Sequence, residues 1–133
     1  MIIPVIKSIY LNINGNPDCI DDFVIGGSAN IGTEGTNGVD YFYFRLITPK
    51  RLITMLNKEK ILEGKGMFIV NEPSMELNLK LLEAEINKII KDCIRPTWSE
   101  VANAINRHLK WEYDNVKYET LEEMQERLND KGK

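Results

Sequence analysis

The sequence has one histidine, His108, and only two cysteines, Cys19 and Cys93, which stand far apart and form no CxxC pair. A metal centre would have to use carboxylates or those separated thiols, and a Ser-His-Asp or Cys-His-Asn relay would have to pass through His108. That histidine follows Arg107 near the end of a helical pattern, where an imidazole commonly meets the last free carbonyls. A structural role there competes with a catalytic one. So few cysteines make no disulfide framework and fit reduced thiols in a reducing compartment. No apolar run approaches the ~18 residues of a membrane span. The apolar start is interrupted by Pro4, Lys7 and Ser8 and lacks the basic leader and small-residue cleavage site of a secretory signal, so a cytoplasmic protein is expected.

Phosphate and calcium loops are missing as well. Residues 26–38 hold five of the nine glycines, but no G-K-[ST] follows and the segment leads into a strand instead of a helix N-terminus. A flexible connection between strands accounts for it. Asp18, Asp21 and Asp22 lack the loop length, central glycine and closing glutamate of an EF-hand. No cofactor and no metal is expected, and no motif compels an enzyme.

What is present is an ordinary globular balance: 133 residues, 43% apolar and 28% charged, enough for one domain that holds a core without disulfides or metals. Residues 1–128 read as that domain and 129–133 as a disordered tail. The net charge of −3 is unevenly spread. Residues 1–48 carry five acids against two bases, residues 49–110 eleven bases against eight acids, and residues 111–133 seven acids against four bases. The lysines of the middle are interleaved with glutamates, as on a solvated helix face, and no basic patch marks a direct nucleic-acid binder. Acidic ends aid solubility, and they also suit a basic protein surface better than phosphate.

Strands come first along the chain, then helices. Residues 2–13 are rich in isoleucine and valine and end at the turn cluster Asn14-Gly15-Asn16-Pro17. Phe23-Val24-Ile25 begins a second strand that continues to Ile31. Segment 39–47 alternates most clearly, with Phe42, Phe44 and Leu46 on the core side and Tyr41, Tyr43 and Arg45 on the other. The tyrosine–arginine side either packs under a helix or stands open as a binding patch, since these residues join apolar area to polar tips. Thr48-Pro49 opens a helix, with threonine as the cap and Leu52, Ile53 and Leu56 as its buried stripe. Met67-Phe68-Ile69-Val70 reads as a short buried strand. Ser74 caps a long helix whose stripe is Met75, Leu79, Leu82, Ile86, Ile89 or Ile90, and Cys93, which makes Cys93 a buried thiol. Thr97-Trp98-Ser99-Glu100 is a capping box heading a helix with Val101, Ala102, Ile105 and Leu109. Trp111-Glu112-Tyr113 alternates like a strand. Thr120-Leu121-Glu122-Glu123 repeats the capping pattern before Met124 and Leu128. The expected class is α+β: a largely antiparallel sheet of about four to five strands with three to four helices packed on it.

Several of these segments together resemble the immunity protein 8 family of bacterial polymorphic-toxin and contact-dependent growth inhibition systems. The resemblance runs through most of residues 5–116 and begins at Ile6-Lys7-Ser8-Ile9-Tyr10. It continues through Phe42-Tyr43-Phe44-Arg45-Leu46-Ile47-Thr48-Pro49-Lys50 and Met67-Phe68-Ile69-Val70. Its most specific part is Thr97-Trp98-Ser99-Glu100-Val101-Ala102, followed by Arg107 and Trp111-Glu112-Tyr113. The resemblance implies a non-enzymatic antidote that binds the C-terminal domain of a cognate toxin, in many such systems a nuclease. Trp98, Glu100, Arg107 and Trp111 are then family-motif residues of structural character.

Charge, exposure and position nominate Asp18, Asp21, Asp22, Tyr41, Tyr43, Glu112 and Asp114 as toxin contacts. Two other classes compete with this reading. One is an adaptor or homo-oligomerisation module that uses the last charged helix. The other is an enzyme built on His108 and an acid.

Overall fold

In β3 (Asp40–Ile47), Phe42, Phe44 and Leu46 are 0%, 3% and 0% exposed, whereas Tyr41 and Tyr43 are 44% and 46% exposed. That alternation gives the sheet one packed and one open face. The computed structural model describes residues 1–13 and 15–114. The helix expected after Thr120, the tail 129–133 and Asn14 of the first turn lie outside the described residues.

Before β3 come β1 (Pro4–Leu11) and β2 (Val24–Thr33); after it come α1 (Pro49–Glu59), β4 (Met67–Ile69), α2 (Met75–Lys91), α3 (Trp98–Ile105) and β5 (Lys110–Trp111). β1 pairs antiparallel with β2, and β2 pairs antiparallel with β3. The far edge of β3 is divided between two short strands. β4 runs parallel beside Arg45–Ile47, and β5 runs antiparallel beside Phe42 and Tyr43. The result is an α+β domain with a mixed five-stranded sheet, mostly antiparallel, and three helices among the described residues. None of these helices is long and apolar enough to cross a membrane.

The main core lies on the inner face, where Ile25, Ala29, Ile31, Phe42, Phe44 and Leu46 of the sheet meet Leu82, Ile86 and Ile90 of α2 and Val101, Ala102 and Ile105 of α3. Cys93 and Leu109 complete it. α2 follows the expected stripe with one substitution: Asn78, not Leu79, is fully buried. Its Oδ1 accepts the backbone N–H of Glu72 at 3.0 Å, which ties the turn after β4 to the first turn of α2. Ser74 caps α2 by accepting the N–H of Leu77. At α3 the capping box is complete: Thr97 Oγ1 accepts the Glu100 N–H and Glu100 Oε2 accepts the Thr97 N–H, each at 3.2 Å.

Four local expectations need correction. β4, expected to be buried, has Met67 and Phe68 only partly covered and Ile69 56% exposed. Thr48 precedes α1, but its hydroxyl caps nothing; it accepts the N–H of Phe23 at 2.9 Å and donates to the Phe23 carbonyl. A buried hydroxyl beside a free strand end satisfies that backbone instead of the helix. α1 has no fully buried residue: Leu52 is half-buried, and Ile53 and Leu56 are 59% and 39% exposed. The helix lies outside the main core, so its apolar stripe is only partly covered. Finally, Gly26, Gly27 and Gly32 belong to β2, leaving the connection at 34–39. Gly27 is required by packing, because a Cβ there would run into the Tyr10 carbonyl oxygen and sit 2.8 Å from the Phe44 ring.

Candidate functional site

Strand register assembles the outer face row by row. Tyr10 of β1 pairs with Ser28 of β2, Ser28 with Tyr43 of β3, and Tyr43 with Lys110 of β5. In the adjoining row Ser8 pairs with Asn30 and Asn30 with Tyr41. Glu112 extends this row, since its N–H donates to the Tyr41 carbonyl at 3.0 Å and its Oε1 accepts the Tyr41 N–H at 3.1 Å. Small polar side chains bridge the strands between the rings: Ser28 Oγ donates to Asn30 Oδ1 at 3.0 Å, and Asn30 Nδ2 donates to Ser8 Oγ at 2.9 Å. Tyr10 is the most exposed ring at 60%, while Ser28 between Tyr10 and Tyr43 is only 8% exposed. Towards the other end Ile47, on the same side by alternation, is fully buried where the chain turns into α1. The open part of the face is therefore the half nearest Tyr41 and Tyr43.

The nominated contacts divide into two groups. Tyr41, Tyr43 and Glu112 share this open face, and Asp114 lies beside it, accepting Asn106 Nδ2 at 2.6 Å. Asp18, Asp21 and Asp22 lie on the connection between β1 and β2, at the end where Val24 pairs with Ile47. Tyr41 and Ile47 are six residues apart on one strand, so the two groups are separated by roughly 20 Å.

Within the second group Asp22 Oδ1 is bound by Arg51 Nε at 2.7 Å, and Asp18 and Asp21 are exposed. The Cys19 thiol donates to Asp21 Oδ1 at 2.9 Å. That hydrogen bond raises the thiol pKa and holds the Asp21 carboxyl below its ordinary value, helped by the nearby Lys50 charge. Burial pushes the Cys93 thiol up.

The motif residues converge on a carboxylate that sequence reasoning did not nominate. Trp98 Nε1 and Trp111 Nε1 both donate to Asp40 Oδ2, at 2.7 and 3.0 Å. Asp40 stands at the first position of β3, so one half-buried carboxylate fastens α3 and β5 to the central strand. The clamp fixes Trp111, and Trp111 is flanked by Lys110 and Glu112 of the outer face. Glu100 is absorbed by the capping box. Arg107 and His108 are exposed and line a groove of about 520 Å³ with Lys65, Lys88, Glu85 and Asp92. Among the described residues no three His, Cys, Asp or Glu side chains are grouped to hold a metal ion. Tyr10 and Lys110 were not nominated either: Tyr10 ends the Ile6–Tyr10 segment of the family resemblance and Lys110 lies in no motif, and only register brings both beside Tyr43.

An α+β domain that packs one side of its sheet and leaves rings and hydroxyls on the other has the form of a surface-binding protein. Its family is shown by sequence: the profile described as immunity protein 8 matches residues 7–116, and the chain belongs to that family. No curated protein and no solved structure matched the chain. Membership implies an immunity protein directed against a polymorphic toxin.

Proposed function

We propose that this protein is a cytoplasmic antidote that binds the C-terminal domain of one cognate toxin and blocks it without chemistry of its own. The observation that carries the reading is the family match across residues 7–116, which includes every strand and helix of the described fold except the start of β1. The open tyrosine-bearing face supports it, because aromatic and mixed polar area is what a protein partner buries. A nuclease is the toxin class this reading favours. Acidic surface at both ends of β3 would draw in a basic nuclease, and complementary fields raise association toward ~10⁸–10⁹ M⁻¹s⁻¹ at low salt.

Co-expression tests the function directly. Cells producing the toxin domain encoded in the adjacent reading frame are expected to survive when this protein is present, and purified His108→Ala protein is expected to protect equally well. Death despite soluble co-expression would overturn the antidote reading; loss of protection on His108→Ala, with the fold intact, would favour an enzyme.

A further inference from the structure

We infer that the toxin docks on the open face of the sheet, centred on Tyr10 and Tyr43 and bordered by Tyr41, Arg45, Lys110 and Glu112, and not on the acidic connection between β1 and β2. The inference rests on the antidote reading and adds to it the surface and the character of the partner. Three exposed tyrosines (Tyr10, Tyr41 and Tyr43, at 60%, 44% and 46%) occupy adjoining rows of one rigid sheet, so their positions are set before binding. Tyrosine on a rigid support offers large contact area at low entropic cost and dominates many binding surfaces. The hydroxyl–amide chain Ser28–Asn30–Ser8 holds the floor between them.

Charge identifies the part of the toxin that fits. The border carries two cations, Arg45 and Lys110, against two carboxylates, Glu112 and the neighbouring Asp114, each hydrogen-bonded only to a neutral N–H donor. Its charges balance, so it does not match the strongly basic cleft of a nuclease. It matches a polar, near-neutral surface away from that cleft. The acidic residues roughly 20 Å away then act at a distance, speeding encounter without forming the core contact.

Size argues against a second copy as the occupant. Four strands span roughly 15 Å, and two rows of side chains cover on the order of 300–400 Å². Two copies meeting face to face would bury less than about 800 Å² in total, the range of lattice contacts. A stable complex needs roughly 800 Å² per partner, so the toxin contact has to extend from this face over its rim.

The probe is the catalytically inactivated C-terminal domain of the cognate toxin, taken as the polymorphic-toxin reading frame that neighbours this one. Tyr10→Ala and Tyr43→Ala are each expected to weaken its binding roughly 30-fold, and Tyr10→Phe and Tyr43→Phe by less than about fivefold. Asp18→Ala/Asp21→Ala is expected to slow association and leave dissociation unchanged. Tight binding that the alanine variants retain within threefold would overturn the docking face and leave the antidote function standing. Absence of both binding and rescue by the wild-type protein would remove the antidote function itself. A wild-type dimer that Tyr10→Ala/Tyr43→Ala disperses in light scattering would reassign the face to self-association. Circular dichroism and melting of each variant separate lost contact from lost fold.

Discussion

Phe42 and Phe44 alternate along β3 with Tyr41 and Tyr43, and the two pairs of rings differ by one hydroxyl each. Both phenylalanines are sealed under α2 and α3, at 0% and 3% exposure, while the tyrosines keep nearly half their surface in water. The inner rings are held by close packing within the core; the outer rings lie beside the polar side chains of Ser28, Asn30 and Ser8 and are open to solvent on one side. One strand thus serves stability with one set of residues and, on the docking proposal, recognition with the other, whose hydroxyls give each exposed ring a polar tip.

The largest test of that division is a pair of truncations. Phe42→Ala is expected to cost about 3–5 kcal/mol in urea unfolding, because the ring leaves a cavity in a core that cannot close around it. Tyr43→Ala is expected to cost only about 1 kcal/mol, the strand propensity and cross-strand contact of a half-exposed ring. Equal losses for the two would erase the distinction between the faces.

A smaller effect probes the link between them. Asp40→Ala leaves two indole N–H groups without their acceptor, at an expected cost of about 2–3 kcal/mol. Because Trp111 carries β5, the same change is expected to loosen Lys110 and Glu112 on the outer face, visible as faster amide exchange there and altered tryptophan fluorescence. Asp40→Asn keeps an acceptor oxygen and is expected to lose less. Unaltered exchange at β5 in a destabilised Asp40→Ala protein would show that the clamp serves the core alone.

The smallest effect concerns the acidic connection. With Asp21 ionised, the hydrogen bond and the negative charge favour the neutral Cys19 thiol and raise its pKa, so a smaller thiolate fraction exists at pH 8. Asp21→Asn is expected to lower that pKa and speed iodoacetamide labelling of Cys19 a few-fold, with Cys93 protected until unfolding. An unchanged labelling rate would dissolve the Cys19–Asp21 pair in solution.

Much of the inner layer was legible from pattern. Alternation in 39–47 placed Phe42, Phe44 and Leu46 inside, the three- and four-residue spacing placed Leu82 and Ile86, and Thr97 with Glu100 marked the start of α3. The failures share a cause. Thr48 had the form of a helix cap, yet the nearest unsatisfied backbone belonged to Phe23, 25 residues away in sequence. Ile53 and Leu56 had helical spacing, yet no neighbouring layer closed over them. Of the candidate contacts, Tyr41 and Tyr43 were set opposite the core-facing phenylalanines by period alone, whereas Tyr10 ended a family segment that says nothing of which way its ring faces.

Period and capping chemistry depend on residues within a turn or two of each other, so the amino-acid order alone settled most of the elements, their sequence along the chain and the side β3 turns to the core. Which strands are neighbours was decided by packing over long distances. The three-dimensional pairing brought Tyr10, Tyr43 and Lys110 into one row, set Asp40 between Trp98 and Trp111, and kept the acids of the β1–β2 connection apart from Glu112. Backbone hydrogen bonding tolerates many registers; only the burial of the inner face selects one, and the outer face inherits its arrangement from that choice.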